Sequence, residues 1–281
     1  MNKRFSTLMT LALACYCVTA QAQRPRIQQA EANAQVAAPA TDADAGKKPS
    51  NQYIEVRTYA VTDEAAEGRL DAYLADALIP ALERQGLGPI GALQQTDSSN
   101  GVEVKLIIPG PTLESVTLAG NNLAKDEAYL AAAKEYLDTP HSEPVFSRIR
   151  SELLLAFDCW PQVTVPQQKE DGKPRFFELR TYESRTEKLA TLKVEMFNEG
   201  EVPIFLDAGI MPVFMGQALV GDMMPNLTYM VVFDDEEAMK AAWPKFSAHP
   251  DWNTLRTNPR YANTVSKNNK SFWTAKPYSQ L

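Results

Sequence analysis

The strongest constraint on this chain is an internal repeat. Tyr53-Ile54-Glu55-Val56-Arg57-Thr58-Tyr59 recurs as Phe176-Phe177-Glu178-Leu179-Arg180-Thr181-Tyr182, 123 residues further on. The same spacing pairs Pro80 with Pro203, Gly86 with Gly209, Leu87 with Ile210 and Pro89 with Pro212, without a gap. The spacing then drops to 110: Glu127-Ala128, Ala131-Ala132, Tyr136 and Pro140 match Glu237-Ala238, Ala241-Ala242, Phe246 and Pro250. The first copy therefore carries thirteen extra residues, the difference between the two spacings, around Gly110 to Asn122. Self-similarity at fixed spacing means that one supersecondary unit is used twice.

Each copy spells out the same order of elements. The Glu-x-Arg-Thr-Tyr segment alternates and is rich in β-formers, which predicts a strand. An amphipathic helix follows, from about Glu64 to Gln85 or from Glu187 to Ala208. Pro80 and Pro203 should bend these helices near their ends, and Gly86 and Gly209 suit the left-handed position beyond them. A hairpin comes next: Ile90 to Thr96 and Val102 to Ile108 around Asn100-Gly101, a preferred two-residue turn. Its counterpart is Val213 to Val220 and Leu227 to Phe233 around Gly221–Asn226. A second helix, Lys125 to Leu137 or Asp235 to Ser247, precedes a last strand, Leu153 to Trp160 or Ser271 to Lys276. That order is βαββαβ, the ferredoxin-like arrangement. The fold class expected is α+β: two tandem units, each with both helices on one sheet face, packed with their bare faces together around a barrel-like interior.

The flanks divide the rest. Lys3 and Arg4, an apolar stretch from Phe5 to Val18, and Ala20-Gln21-Ala22 have the layout of a secretory signal, cut between Ala22 and Gln23. Residues 23–52 are a low-complexity spacer that cannot offset its ordering entropy by burial. The first unit spans 53–160, a Pro/Gln/Lys-rich linker 161–175, and the second unit 176–281. A periplasmic or secreted protein is expected, with no lipid anchor. Cys15 and Cys17 fall in the leader, leaving Cys159 and no intramolecular disulfide. Of 28 basic residues two lie in the leader, so 26 face 35 acidic ones, a net charge of −9. That balance argues against nucleic acid, which needs a basic stripe.

Phe177-Glu178-Leu179-Arg180-Thr181-Tyr182, the strand Tyr229-Met230-Val231-Val232-Phe233, and the helix carrying Trp243 and ending in His249-Pro250-Asp251-Trp252 resemble the NIPSNAP family. The resemblance covers Arg175 to the C-terminus well and Tyr53 to Trp160 more loosely. It implies the dimeric α+β barrel fold, shared with cofactor-independent monooxygenases, haem-degrading enzymes and stress-response barrels. It supplies no agreed catalytic set. Copy one departs where Pro140-His141-Ser142-Glu143 replaces His-Pro-Asp-Trp.

Alternation in the opening strands sorts residues by face. Ile54, Val56 and Thr58 oppose Glu55, Arg57 and Tyr59; Phe177, Leu179 and Thr181 oppose Glu178, Arg180 and Tyr182. The apolar set is expected on the helix side, leaving the six polar residues in the barrel interior as candidate ligand-binding residues. Either the arginines bind an anion with the glutamates as bases, or the Glu–Arg pairs fix strand register. His249 and Trp252 are accessory candidates. His249, like His141, could serve as an acid–base group or haem ligand, or could simply end a helix. Trp243, Phe246 and Trp252 read as core, and Cys159 as structural. No metal site and no cofactor are expected: phosphate loops, His-Glu-x-x-His, Cys-x-x-Cys and Gly-x-Ser-x-Gly are all missing. Two functions stay open, a barrel that binds a small molecule or protein partner, and a cofactor-independent or haem-using oxidoreductase. A structural role in the envelope, and further oligomerisation, are also compatible.

Overall fold

The computed structural model describes residues 50–97, 99 and 101–281. The leader, its cleavage point, Cys15, Cys17, nearly all of the spacer and Asn100 of the first hairpin turn lie outside the described residues.

Tyr53–Val61 forms β1. Helix α1, Glu64–Tyr73, starts at Asp63, whose carboxylate accepts from the Ala66 N–H at 2.8 Å, an N-cap worth about 1 kcal/mol. It runs through a π turn, Leu74–Leu78, into α2, Ile79–Arg84. Pro80 sits in the first turn of α2. The widened turn accommodates a residue that cannot donate to the helix ladder, so a π turn stands where a bend was expected. Gly86 then adopts φ +76°. The hairpin strands are β2, Gly91–Gln95, and β3, Val102–Gly110. The thirteen extra residues fold as α3, Leu113–Thr117, and α4, Ala119–Leu123. The second helix is split into α5, Glu127–Ala132, and α6, Lys134–Leu137. The last strand, β4, is Phe146–Ala156; it ends earlier than expected, and Cys159 lies in a turn closed by a Phe157–Trp160 bridge.

A short α7, Gln167–Glu170, crosses the linker. The second half repeats the order: β5 Phe176–Glu183, α8 Glu187–Met196, a π turn Phe197–Glu201, α9 Val202–Asp207 with Pro203 in its first turn, β6 Met211–Val220 and β7 Asn226–Phe233. Gly209 adopts φ +80°. Then follow α10 Glu236–Ala248, α11 Pro250–Arg256 and β8 Lys267–Ala275.

The strands close into a barrel in the order β1-β3-β2-β8-β5-β7-β6-β4. Within each half the order is ferredoxin-like; β2 with β8 and β4 with β6 are the seams between halves. All neighbours are antiparallel, and closure leaves no sheet edge. The fold is thus an α+β barrel of dimeric type made within one chain.

The faces are reversed from the sequence expectation. Ile54, Val56, Phe177 and Leu179 join Leu154, Met230, Val232 and Trp273 in a core drawn from both halves, which is the barrel interior. Tyr59 belongs to the cluster with α1 and α2, and Tyr182 to the cluster with α9 and α10. Glu55, Arg57, Tyr59, Glu178, Arg180 and Tyr182 therefore lie beneath the helices, not inside the barrel. Both faces of these strands are covered, so both residue sets are buried and hydrophobicity alone cannot orient them. The narrow interior takes branched aliphatic side chains, while the helix layer brings polar partners of its own.

Candidate functional site

Strand β5 places Glu178, Arg180 and Tyr182 on its helix-facing side, where α8, the π turn and α10 lie over them. Arg180 Nε donates to Glu178 Oε1 at 2.7 Å. The indole of Trp243, on α10, donates to Glu178 Oε2, and the guanidinium carbon of Arg180 lies 3.4 Å from the centre of its ring, a cation–π contact worth up to about 2 kcal/mol when desolvated. Arg180 Nη1 reaches the Tyr182 hydroxyl, which shares a 2.8 Å bond with Tyr229. Beside this network Lys193 donates to Glu201 at 2.7 Å, both side chains almost fully buried. Burial opposes the Arg180 charge, but the tyrosines and Glu178 around it raise its pKa above the ordinary value. Burial also pushes the Tyr229 phenol far up. Arg180 is thereby held charged and the Tyr229 phenol neutral. The cluster is a sealed ion-pair network.

The first half keeps the pair and changes its surroundings. Arg57 grips Glu55 with two hydrogen bonds, 2.7 and 2.9 Å, and Ser151 of β4 donates to the same carboxylate. Burial opposes the Arg57 charge as well, yet its hydrogen bond with Glu55 and the nearby Tyr59 raise its pKa. The positions of Lys193 and Glu201 correspond, at the 123 spacing, to Leu70 and Leu78, both fully buried. Trp243 corresponds, at the 110 spacing, to Ala133. No tryptophan covers Arg57. Instead a cavity of about 270 Å³ lies over the pair, lined by Glu55, Arg57, Ser151, Leu153 and, from α3 and α4, Val116, Thr117 and Gly120. The residues present only in this half roof it. The Glu55 and Arg57 side chains are 11% and 18% exposed, against 2% and 9% for Glu178 and Arg180.

The accessory candidates lie elsewhere. His249 caps α11: its Nδ1 accepts from the Asp251 N–H at 3.2 Å, and its Nε2 lies 3.7 Å from Asp207. His141 is exposed in the turn after α6. Trp252 packs on Phe246, ring centres 4.5 Å apart. None of the three lines the cavity over the Glu55–Arg57 pair or the one at the barrel mouth. Haem, which the family resemblance leaves open, needs an axial ligand aimed into a large pocket. Neither histidine offers that, so the residues do not fit it. Among the described residues no cluster of three metal-ligating side chains occurs.

Sequence reasoning named the two Glu–Arg pairs and missed what surrounds them. Ser151, Lys193, Glu201 and the role of Trp243 carried no local signal, because helix and strand partners meet only in three dimensions. One signal was present: Lys105 interrupts the apolar strand Val104-Lys105-Leu106-Ile107-Ile108.

Residues 177–280 match the family model NIPSNAP. No protein of curated function matches the sequence at a significant level. Among solved structures, a candidate monooxygenase of Fusobacterium nucleatum overlays with a TM-score of 0.53 at 9% identity, covering 80% of this chain and 93% of that one. An uncharacterised NIPSNAP domain protein of Burkholderia xenovorans gives 0.31 at 16% identity, over 34% of this chain and 90% of that one. A mutant chlorite dismutase of Candidatus Nitrospira defluvii gives 0.47 at 9%, over 82% and 92%. At such identities the likeness speaks for the fold alone. The second half of this chain thus matches the NIPSNAP family model over residues 177–280, within a dimeric-type α+β barrel closed by a single polypeptide.

Proposed function

We propose that this protein is a small-molecule-binding barrel that works without turnover, holding its ligand in the first half, over the Glu55–Arg57 pair. We read the two halves as copies of one unit that have diverged. The second copy became a sealed structural core, and the first exchanged Trp243 for Ala133 and gained a roof. The observation that carries this reading is the cavity itself: it lies over one Glu–Arg pair, and the residues that roof it are the insertion unique to that copy.

The lining defines the ligand class. Arg57 is neutralised by Glu55, so the floor carries no net charge to attract an anion. Ser151 and Thr117 supply hydroxyls, and Val116 and Leu153 apolar surface. A compact, uncharged molecule with one or two hydrogen-bonding groups suits this better than a carboxylate. The oxidoreductase reading has less support, since Glu55, the base it would need, is held by Arg57 and Ser151. Export through the leader and spacer completes the proposal and places ligand capture outside the cytoplasm. Among the described residues no helix is long and apolar enough to cross a membrane.

A thermal-shift screen of small neutral and anionic compounds tests this, run in parallel on wild type and Gly120→Phe. A Cβ at Gly120 meets nothing within 4 Å, so the ring enters the cavity region without a backbone clash. A neutral ligand at a hundredfold excess over Kd should stabilise the wild type by about 2.7 kcal/mol and leave Gly120→Phe unmoved. Equal stabilisation of both proteins, or hits confined to anions, would overturn the assignment. A screen with no hits and a captured protein partner would do so too.

A further inference from the structure

The open end of the barrel holds a second cavity, unconnected with the Glu–Arg pairs. At one level inside the barrel, Thr58 faces Lys105 across β1 and β3, and Thr181 faces Thr228 across β5 and β7. These are matching positions, each 123 residues apart. In the second half the two hydroxyls bond each other at 2.8 Å. In the first, a lysine takes one threonine's place. Its Nζ donates to Thr58 Oγ1 and lies 4.8 Å from the centre of the Trp273 ring. Lys105 is 8% exposed, Thr58 4%, and Thr228 and Trp273 1% each. A cavity of about 220 Å³ opens above this floor, and its rim, with Arg150, Asp222 and Met223, is exposed to solvent.

Such a floor is a poor place for an ammonium. Among the described residues Lys105 enters no ion pair, and Glu103, two residues back on its own strand, is taken by Arg150. Burial draws the Lys105 amine down to about 8, Glu103 and Glu152 oppose the shift, and Arg150 adds to it. Glu152, which lines the same cavity from β4, is pushed up by burial. A desolvated lysine that gives up its proton near neutrality is a nucleophile towards carbonyl carbon. The charged groups around the cavity balance: Lys105, Arg150 and Lys270 against Glu103, Glu152 and Asp222. No net field draws an anion in, and a neutral electrophile enters without an electrostatic cost.

We propose that the barrel mouth is a carbonyl-binding site, at which the Lys105 amine captures a small aldehyde as an imine. The nitrogen lone pair attacks the carbonyl carbon, and the displaced π pair, taking a proton from the attacking nitrogen, makes the carbinolamine hydroxyl. Glu152 in its acid form protonates that hydroxyl, which leaves as water while the nitrogen lone pair forms the C=N bond. The amine proton returns to the Glu152 carboxylate. One aldehyde and one amine give one imine and one water, with no oxidant or reductant. Thr58 orients the amine, the Trp273 ring packs against the captured chain, and the volume limits the aldehyde to a short one.

The test uses the full chain with glycolaldehyde and cyanoborohydride near neutral pH, which reduces the imine to a stable secondary amine, mapped by peptide mass spectrometry. Lys105 should be labelled at least about tenfold faster than exposed lysines such as Lys125 and Lys188. Lys105→Thr, which installs the second half's own threonine pair, should lose that fast site and keep the slow ones. Should that variant not fold, Lys105→Arg keeps the cation and should lose the label equally. Glu152→Gln should slow labelling at Lys105 alone. Labelling of Lys105 no faster than of exposed lysines would overturn the proposal, as would a fast site that persists in Lys105→Thr or Lys105→Arg. An unchanged rate in Glu152→Gln would remove Glu152 from the step.

Discussion

Arg57 and Arg180 hold the same partner at the same spacing, and their neighbours give them different lives. Trp243 stacks on Arg180 and ties off Glu178, so both charges are satisfied and water is kept out. Arg57 is held by Glu55, whose carboxylate also accepts from Ser151, with Tyr59 nearby and a cavity above the pair. Lys105 is the converse case, a buried amine that forms no ion pair among the described residues although Glu103 and Glu152 line its cavity. Its ammonium form is penalised in the folded state, because its pKa falls from 10.5 to about 8 on burial. As pH drops from 10.5 towards 8 the unfolded chain takes up the proton first, so stability is lost across that window and stays lost below it. Lys105→Met keeps the packing against Trp273 without the charge. Urea denaturation at neutral pH should find it more stable by on the order of 2–3 kcal/mol, with the advantage shrinking as pH climbs from 8 to 10.5. A variant less stable than wild type at neutral pH would show that the cavity hydrates the ammonium well.

At the scale of elements, the insertion decides where a ligand can sit. Helices α3 and α4 dock on the end of β3, at Gly110, where a Cβ would meet Leu87 Cδ2 and Val116 Cγ2 at 2.6 Å and Ser115 Oγ at 2.8 Å. Gly110→Ala should therefore lift the roof, costing about 1–3 kcal/mol in chemical denaturation and weakening any ligand that Gly120→Phe also blocks. No loss of stability would mean that the roof is not packed there. The repeat order and the glycines after the first helix of each half could be read from the chain, because each depends on a residue and its near neighbours; the π turns before Pro80 and Pro203 could not. The broken second helix of the first half could not, since α5 and α6 are too short for a periodic signal. The facing of β1 and β5 could not either: alternation has two phases, and tertiary partners such as Trp243, Lys193 and Glu201 decide between them. Lys105 was visible as an oddity in an apolar strand, but its chemistry depends on Thr58, Trp273 and Glu152, contributed by three other strands.

At the scale of the whole molecule, the two halves are bound by more than their seams. The segment after β8 returns to the first half: Lys276 bonds Glu67 and Asp71 of α1, Tyr278 bonds Asp71, and Gln280 and Ser279 accept the N–H groups of Ile90 and Ala92. Leu281, fully buried, fills the space beside Gly91. The other seam depends on Gly216, where a side chain would strike Leu154 at 2.8 Å. Barrel closure thus fixes both halves in one frame, so a difference between them belongs to their side chains and not to loose assembly. That difference is the centre of the account, one Glu–Arg pair open and the other sealed. Exchange of the arginine Nε protons with solvent, followed by nitrogen-resolved NMR, measures it directly. The Arg57 proton should exchange at least about tenfold faster than that of Arg180, given a sealed, stacked guanidinium against one beneath a cavity. Equal rates, or faster exchange at Arg180, would contradict the account.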